Sequence, residues 1–457
     1  MNASAQHPAV AAYERYVNPA FVRLLGTLGY GRVFVRAYGT TLVDDQGREY
    51  LDMLAAFGAV NLGHNPPALL ERMKAFLDDQ AVNLVHVGPQ LHAAELARDL
   101  AALVDPPLEI SMFSNSGGEA VESALKLARA ASGRSAIVYT HGGFHGNGLG
   151  PLSVMGHPRL RQPFEPLLPD CHAVPFGDLD ALKRALSEQR AAAFLVEPIQ
   201  AEGGVNLPPD GYLAEARALC RRKGTLFILD EVQTGLGRTG PMFAYQRHGF
   251  VPDVLVLGKS LGGGMLPLSA TVTSRDVWQR AFGSQDKFDL HGTTYSGNAL
   301  ACRVGRDVLQ LLQADGLLDG ARERGRLLLE SLKSALSGHP LVRDVRGAGL
   351  LVGIELGPTD SNLAQRLFAP LFETASEKVV GQWLALRLLE RGIVCQPASQ
   401  RWNVLRLEPP LSVTTPEVER TVNEICALLA EYQGLAPLAK DVTQRLGEQY
   451  RGGFAFR

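Results

Sequence analysis

Asp253-Val-Leu-Val-Leu-Gly-Lys-Ser-Leu-Gly-Gly-Gly-Met-Leu-Pro267 sets an uncharged apolar run before one lysine and three consecutive glycines. The run Val254 to Leu257 predicts a buried strand, because β-branched and leucine side chains follow one another without a charge. Lys259 stands just past its C-terminal end, the edge at which α/β sheets bind ligands. Gly262, Gly263 and Gly264 allow close backbone approach and oppose an ordinary helix. A lysine so placed has three readings: a surface side chain, the tail of a P-loop, or a Schiff-base amine whose partial burial makes it nucleophile and base. The P-loop requires a glycine where Asp253 stands and a helix where the glycine triplet stands, so it fails twice. The other two readings are separated only by the partners that the rest of the chain supplies.

At 457 residues the chain exceeds one small domain and can bury a large core. Its 46% hydrophobic and 20% charged content is ordinary for a soluble globular protein. A net charge of −2 gives no electrostatic case for nucleic acid or an anionic membrane. No apolar run is long enough to span a bilayer. The N-terminus lacks a basic segment followed by an apolar core, so no secretory signal is expected. The five cysteines, Cys171, Cys220, Cys302, Cys395 and Cys426, show neither CxxC spacing nor a disulfide framework. That pattern favours a reducing, cytoplasmic setting and no metal site.

Tyr38 to Asp52 reads as a hairpin turning at Asp44-Asp45-Gln46-Gly47. From Leu108 onward, strand-like and helix-like runs alternate through about Val272. This implies an α/β fold, a mostly parallel sheet covered by helices on both faces. After about residue 330 the pattern suits a smaller α/β domain. The expected division is a large domain over 73–329 and a small C-terminal domain over 330–457, with the segment 1–72 joining the small one. The tail from Gly434 is weakly patterned.

Several loops could serve Lys259. Asn115-Ser-Gly-Gly-Glu119 follows a strand and opens a helix, which suits either an anion site at the helix N-terminus or a plain N-cap by Ser116. Phe144 and His145, in Tyr139-Thr-His-Gly-Gly-Phe-His-Gly146, could stack on and hydrogen-bond to a flat ring, or simply pack in the core. Asp230 ends the apolar run Thr225 to Leu229. A buried carboxylate there needs a cation or hydrogen bonds. A protonated pyridine nitrogen would meet that need; capping the turn Glu231 to Gly235 is the plain alternative. Gln233 in that turn could reach a ring hydroxyl. Glu202 precedes two glycines, and Arg406 lies in Leu405-Arg-Leu-Glu-Pro-Pro410. An arginine can hold a substrate carboxylate in bidentate fashion, though a surface ion pair would also explain both. Thr294 offers a hydroxyl before a helix that Ser296 could cap.

In this order the pieces resemble a class III aminotransferase of the fold-type I pyridoxal-phosphate enzymes, from about Val17 to Leu429. The most specific segment is Leu229-Asp-Glu-Val-Gln-Thr-Gly-Leu-Gly-Arg-Thr-Gly240, followed by Lys259 and its glycines. Val17-Asn-Pro-Ala-Phe21, Pro175-Phe-Gly-Asp178 and Arg406-Leu-Glu-Pro-Pro-Leu411 are similar to the putrescine aminotransferase branch, near the ornithine and acetylornithine enzymes.

The resemblance implies roles. Lys259 carries pyridoxal 5′-phosphate as a Schiff base and moves the substrate proton. Asp230 pairs with the pyridine nitrogen, Gln233 approaches the 3-hydroxyl, and Phe144 stacks on the ring beside His145. Ser116, Gly117 and Gly118 take the phosphate, with Thr294 reaching the one bound in the neighbouring subunit of a homodimer. Arg406 receives a substrate carboxylate, Glu202 neutralises Arg406 when an amine lacking that group binds, and Phe57 helps set pocket width. Gly118, Ala201, Ser296 and Ala299 depart from the usual family pattern without removing a reactive group. The implied reaction is ω-type transamination from a diamine, or from the distal amine of a basic amino acid, to a keto acid such as 2-oxoglutarate or pyruvate. A decarboxylase, an aminomutase or a non-catalytic homologue would share the fold.

Overall fold

A computed structural model describes residues 7–28, 31–314, 316–357, 380–432, 434, 437–438 and 440–444. Its centre is a seven-stranded sheet. The strands run, edge to edge, Leu108–Ser114, Ser269–Ser274, Val254–Leu257, Leu226–Asp230, Ala193–Val196, Ile137–Thr140 and Cys171–Val174. Ser269–Ser274 is antiparallel to both its neighbours; the pairs from Val254–Leu257 outward to Cys171–Val174 are all parallel.

The expected apolar strands are buried because both faces are covered. Alternate residues of each strand enter different cores, as the two-residue strand period requires. Leu255, Leu257, Phe227, Leu229, Phe194 and Val196 belong to one cluster. Val254, Val256, Leu226, Ile228, Ala193 and Leu195 belong to the other, with the helix Gly117–Ser132 packed on it through Val121, Ala124, Leu125 and Ala128. Charge is excluded from these strands until their carboxyl ends, where Asp230, Glu197 and Lys259 appear together.

Two four-stranded sheets flank this one. The predicted hairpin forms, with Thr41–Asp44 antiparallel to Glu49–Asp52, and Asp44 accepts from the N–H groups of Gln46 and Arg48 in the turn. Phe34–Tyr38 extends the sheet on one side and Ile393–Val394 on the other, in parallel with Leu51 and Asp52. The third sheet orders Val342–Ala348, Leu351–Leu356, Arg401–Leu407 and Gln396–Ala398. The helix expected near Glu377 to Arg391 is described over 380–390; residues 377–379, and the tail beyond 444, lie outside the described residues. The helix expected to start at Ser296 begins instead at Ala299, capped by Asn298, because Ser296 Oγ donates to the carbonyl of Phe113 at 2.7 Å. Among the described residues no helix is long and apolar enough to cross a membrane.

The chain leaves Asp52 through an uncommon turn. Ala55, Ala56 and Phe57 all take left-handed backbone angles, with φ of 48°, 49° and 61°. Such angles cost about 1 kcal/mol or more per non-glycine residue and need compensation. Asp52 Oδ1 supplies some, accepting from the N–H groups of Leu54 and Ala55 at 2.8 and 2.9 Å, while His64 Nε2 lies 2.7 Å from Oδ2. Because Asp52 is almost fully buried, Asp52→Ala would leave two N–H groups unsatisfied beside a strained turn. The expected loss is about 2–4 kcal/mol of unfolding free energy, measured by urea titration; Asp52→Asn should recover part of it.

Candidate active site at the carboxyl edge of the central sheet

Parallel pairing of Asp230 with Val256 brings the end of one strand beside the end of the next, so Asp230 and the Lys259 loop share one edge. Lys259 opens a single 3₁₀ turn, Lys259–Gly262, with its own backbone in the left-handed region at φ 45°. The glycines therefore do what was expected of them and prevent a longer helix. Gly263 and Gly264 turn at φ 65° and 69°.

Four loops close on this edge in van der Waals contact. A β-carbon on Gly117 would fall 2.7 Å from Cγ1 of Val232, and one on Gly258 would fall 3.3 Å from Cα of Gly117. Gly146 approaches Gly118 so closely that a β-carbon on it would meet Gly118 Cα at 2.7 Å. Ser116 caps the helix, accepting from the N–H of Glu119 at 3.2 Å, and its own carbonyl accepts from Ser269 Oγ. The plain N-cap and a bare-backbone cradle thus coexist. First-turn N–H groups of this 16-residue helix point the positive end of its dipole at the same edge.

Asp230 is almost fully buried. Its Oδ1 accepts from the N–H of Val232 at 3.0 Å, so the turn-capping role is real. Its Oδ2 lies 2.7 Å from Nδ1 of His145, which is also buried. Phe144 stays partly exposed rather than joining the core, and its N–H donates to Glu197 Oε2 at 2.9 Å. Burial and the neighbouring Asp230 carboxylate push Glu197 well above the usual carboxylate range.

Lys259 contacts Gln233 Oε1 through Nζ. Within the chain the Gln233 amide spans two groups, Lys259 and Glu408. The Nε2 side donates to both oxygens of Glu408, at 3.1 and 2.9 Å. Burial lowers the Lys259 pKa from the usual amine value, with Glu408 and Glu202 opposing the shift. An amine so depressed gives up its proton more readily, as a nucleophile or proton carrier must.

Arg406 is fully buried in the strand Arg401–Leu407. Its Nη1 donates to Glu202 Oε1 at 2.5 Å, and the Phe57 ring centroid lies 5.2 Å from its Cζ. Glu202 also accepts from the N–H of Ser399 at 3.1 Å. Burial alone would raise the Glu202 pKa, but Arg406, Lys259 and the hydrogen bonds overcome it and bring it down to about 2. The pair therefore stays charged through the neutral range. Both residues were open to a surface reading; their burial removes it. Thr294 is exposed and joins none of these contacts within the chain.

Three groups here carried no assigned role in the sequence. Glu408 is fully buried and stands next to Arg406, Gln233 and Gly58. Glu197 neighbours Asp230. Arg238, also fully buried, donates to the carbonyls of Leu350 and Pro409 and to Asn61 Oδ1. Glu408 and Arg238 lie inside stretches quoted for a neighbour, and Glu197 directly follows the strand Ala193–Val196. Only the long-range partners distinguish them from solvated charges.

The chain matches the family described as aminotransferase class-III over residues 29–429. It is 38% identical over 449 residues to a putrescine aminotransferase of Pectobacterium atrosepticum, covering 95% of this chain and 91% of that one. It is 35% identical over 464 residues to the aminotransferase PigE of a Serratia species, covering 93% of this chain but only 54% of PigE, so it spans about half of that relative's length. The structure of the ornithine aminotransferase from Toxoplasma gondii superposes with a TM-score of 0.81 at 29% identity, covering 93% of this chain and 95% of that one. The architecture, the site and these likenesses agree: the chain belongs to the class III aminotransferases.

Proposed function

We propose that this protein catalyses pyridoxal-phosphate-dependent transamination. It would take an amino group from a diamine, or from the distal amine of a basic amino acid, and give it to a keto acid such as 2-oxoglutarate or pyruvate. The observation that carries this reading is the convergence of Lys259, Asp230 and the buried Arg406–Glu202 pair on one sheet edge. The names borne by the putrescine and ornithine relatives support the substrate class. Family membership does not favour the decarboxylase, aminomutase or non-catalytic readings.

The residues fit the cofactor. Lys259 offers a depressed amine, Asp230 a buried carboxylate held by Val232 and His145, and Gly117 and Gly118 a cradle that Gly117 could not form with a side chain. Lys259, Asp230, Ser116, Gly117, Gly118, Phe144, His145 and Gln233 would hold it, with Thr294 serving a partner subunit. When bound, pyridoxal phosphate supplies an electron sink for the carbon that bears the amine. Asp230 would hold the pyridine nitrogen, and His145 fixes the carboxylate's direction. Lys259 carries the proton to and from the substrate carbon. Arg406 takes a carboxylate when Glu202 releases it, and Glu202 returns when the substrate has none. Phe57 bounds this end of the pocket.

A homodimer with shared sites accords with the exposed apolar residues Tyr13, Tyr16, Phe21 and Leu24 near the N-terminus, a patch of the kind that a second subunit covers. The cytoplasmic setting, the ω-transaminase label, and a division into 1–72, 73–329 and 330–457 belong to the same proposal. The pairing of Glu49–Asp52 with Ile393–Val394 supports joining the first segment to the last.

Asp230→Asn should retain the cofactor yet lower kcat by about 10²–10³-fold, the scale of losing one preorganised electrostatic group. Absorbance of the bound cofactor and steady-state turnover check this; unchanged kcat would remove Asp230 from its role. Arg406→Ala should slow the keto-acid half-reaction by at least about a hundredfold, from a lost buried charge contact of some 3–5 kcal/mol. The diamine half-reaction should change much less. Single-turnover rates in each direction measure the difference, and equal losses would sink the carboxylate switch.

A further inference from the structure

Glu202 has to leave Arg406 before a substrate carboxylate can be gripped there, yet its backbone is held in place. Arg406 offers a two-point grip only through Nη1 and Nη2, because Nε faces Glu408 Oε2 at 3.5 Å. Nη2 is buried without a hydrogen-bond partner among the described residues, while Nη1 donates to Glu202 Oε1 at 2.5 Å. An arriving carboxylate gains its second contact only when Glu202 gives up Nη1. The Glu202 carbonyl accepts from the N–H of Gln400 at 3.0 Å. A β-carbon on the following Gly203 would fall 2.5 Å from the carbonyl oxygen of Gly142, so the chain is packed tightly here. The side chain, rather than the loop, must turn.

The Glu202 side chain is 7% exposed. A carboxylate displaced within such a pocket is unfavourable unless new hydrogen bonds receive it. The turn Ser399-Gln400, between the strands Gln396–Ala398 and Arg401–Leu407, can supply them. The Ser399 N–H already donates to Glu202 Oε2 at 3.1 Å. The Ser399 hydroxyl oxygen is shielded from solvent and has no hydrogen-bond partner among the described residues. A spare donor thus stands on the same residue that holds the far oxygen of the carboxylate, and a buried hydroxyl left idle in one state calls for a partner in another. The turn itself is anchored. Gln400 Nε2 donates to the carbonyl of Gly143 at 3.1 Å, and Trp402 Nε1 donates to that of Ser399 at 2.9 Å.

We propose that Ser399 is a positioning residue for the keto-acid half of the reaction: it receives the Glu202 carboxylate when Arg406 takes a substrate carboxylate, its N–H keeping Oε2 while its hydroxyl donates to the oxygen that Arg406 has released. This rests on the transamination reading above and assigns the second position of its carboxylate switch. The Ser399 hydroxyl acts on the substrate only through Glu202. Its contribution enters the affinity for a carboxylate at Arg406, because only that ligand displaces Glu202. A diamine leaves Glu202 on Arg406 and the hydroxyl idle.

The test compares wild-type holoenzyme with Ser399→Ala and Ser399→Thr. The alanine variant loses no hydrogen bond of the Glu202–Arg406 state, so its melting temperature should match wild type. Calorimetric titration with glutarate, an unreactive dicarboxylate, reads carboxylate binding at Arg406 without turnover. Its affinity should fall by about tenfold in Ser399→Ala, the scale of one hydrogen bond to a charged group. Ser399→Thr, which keeps the hydroxyl, should restore most of it. KM for 2-oxoglutarate should rise by a similar factor, while the single-turnover rate with butane-1,4-diamine stays unchanged. In a Glu202→Ala background, Ser399→Ala should have no further effect on glutarate. Glutarate affinity equal to wild type in Ser399→Ala would overturn the proposal. So would a loss that persists without the Glu202 side chain, or equal losses toward glutarate and the diamine. Glutarate binding that Arg406→Ala leaves untouched would remove Arg406 as the carboxylate receptor, and the role of Ser399 with it. A wild-type enzyme idle toward every amine donor would instead overturn the transamination reading, while the glutarate titrations would still decide whether Ser399 receives Glu202.

Discussion

The structure depends on one register. Asp230 pairs in parallel with Val256, and the strands that carry them end at the same edge. Shift that pairing by one residue and every side chain on the strand changes face. Leu255 and Leu257 would leave one core, Val254 and Val256 the other, and the charged residue at the strand end would no longer point where Lys259 emerges. Burial on both faces makes such a slip very costly, since each large apolar side chain contributes roughly 1.5–3 kcal/mol. The sheet therefore places an amine and a carboxylate together through packing alone, before either has any chemistry to do.

What stands on that edge is a group of charges that would be unfavourable separately. Lys259, Arg406 and Arg238 are opposed by Glu202 and Glu408, while Asp230 faces His145, and burial beside Asp230 pushes Glu197 well above the usual carboxylate range. Removing one member strands its partner in a low-dielectric interior. The cluster is therefore rigid where its members share several partners, as at Glu408 and Arg238. It is yielding where they share few, as at Glu202. The strained turn at Ala55–Phe57 fits this division: its cost is met by Asp52, and it delivers both the Phe57 ring over Arg406 and the bare Gly58 beside Glu408.

Much of this was legible in the chain. The apolar strands, the helices Leu179–Gln189 and Tyr212–Lys223, and the hairpin at Asp44 carry strong local signals, and the structure gives them with small changes at their ends. Lys259, Asp230, Glu202 and Arg406 could be singled out because a charge directly after or within an apolar run needs a reason. Glu408 gave no such sign. It follows Arg406 and Leu407 and precedes two prolines, so it reads locally as a loop charge; its importance comes from Gln233, Arg238 and Gly58, all distant in sequence. The two N-terminal helices, Pro8–Tyr16 and Pro19–Leu28, were also missed. The first buries no residue of its own in the single chain, so its apolar pattern has no core to report. The left-handed turn escaped for a related reason, because alanine and phenylalanine do not advertise positive φ.

The account stands or falls on whether the cofactor joins this lysine. Borohydride reduction of the protein with pyridoxal phosphate, followed by peptide mass mapping, fixes the attachment point covalently. The account predicts a single pyridoxyl adduct on Lys259. An adduct on another lysine, or none under conditions where the protein transaminates, would contradict it.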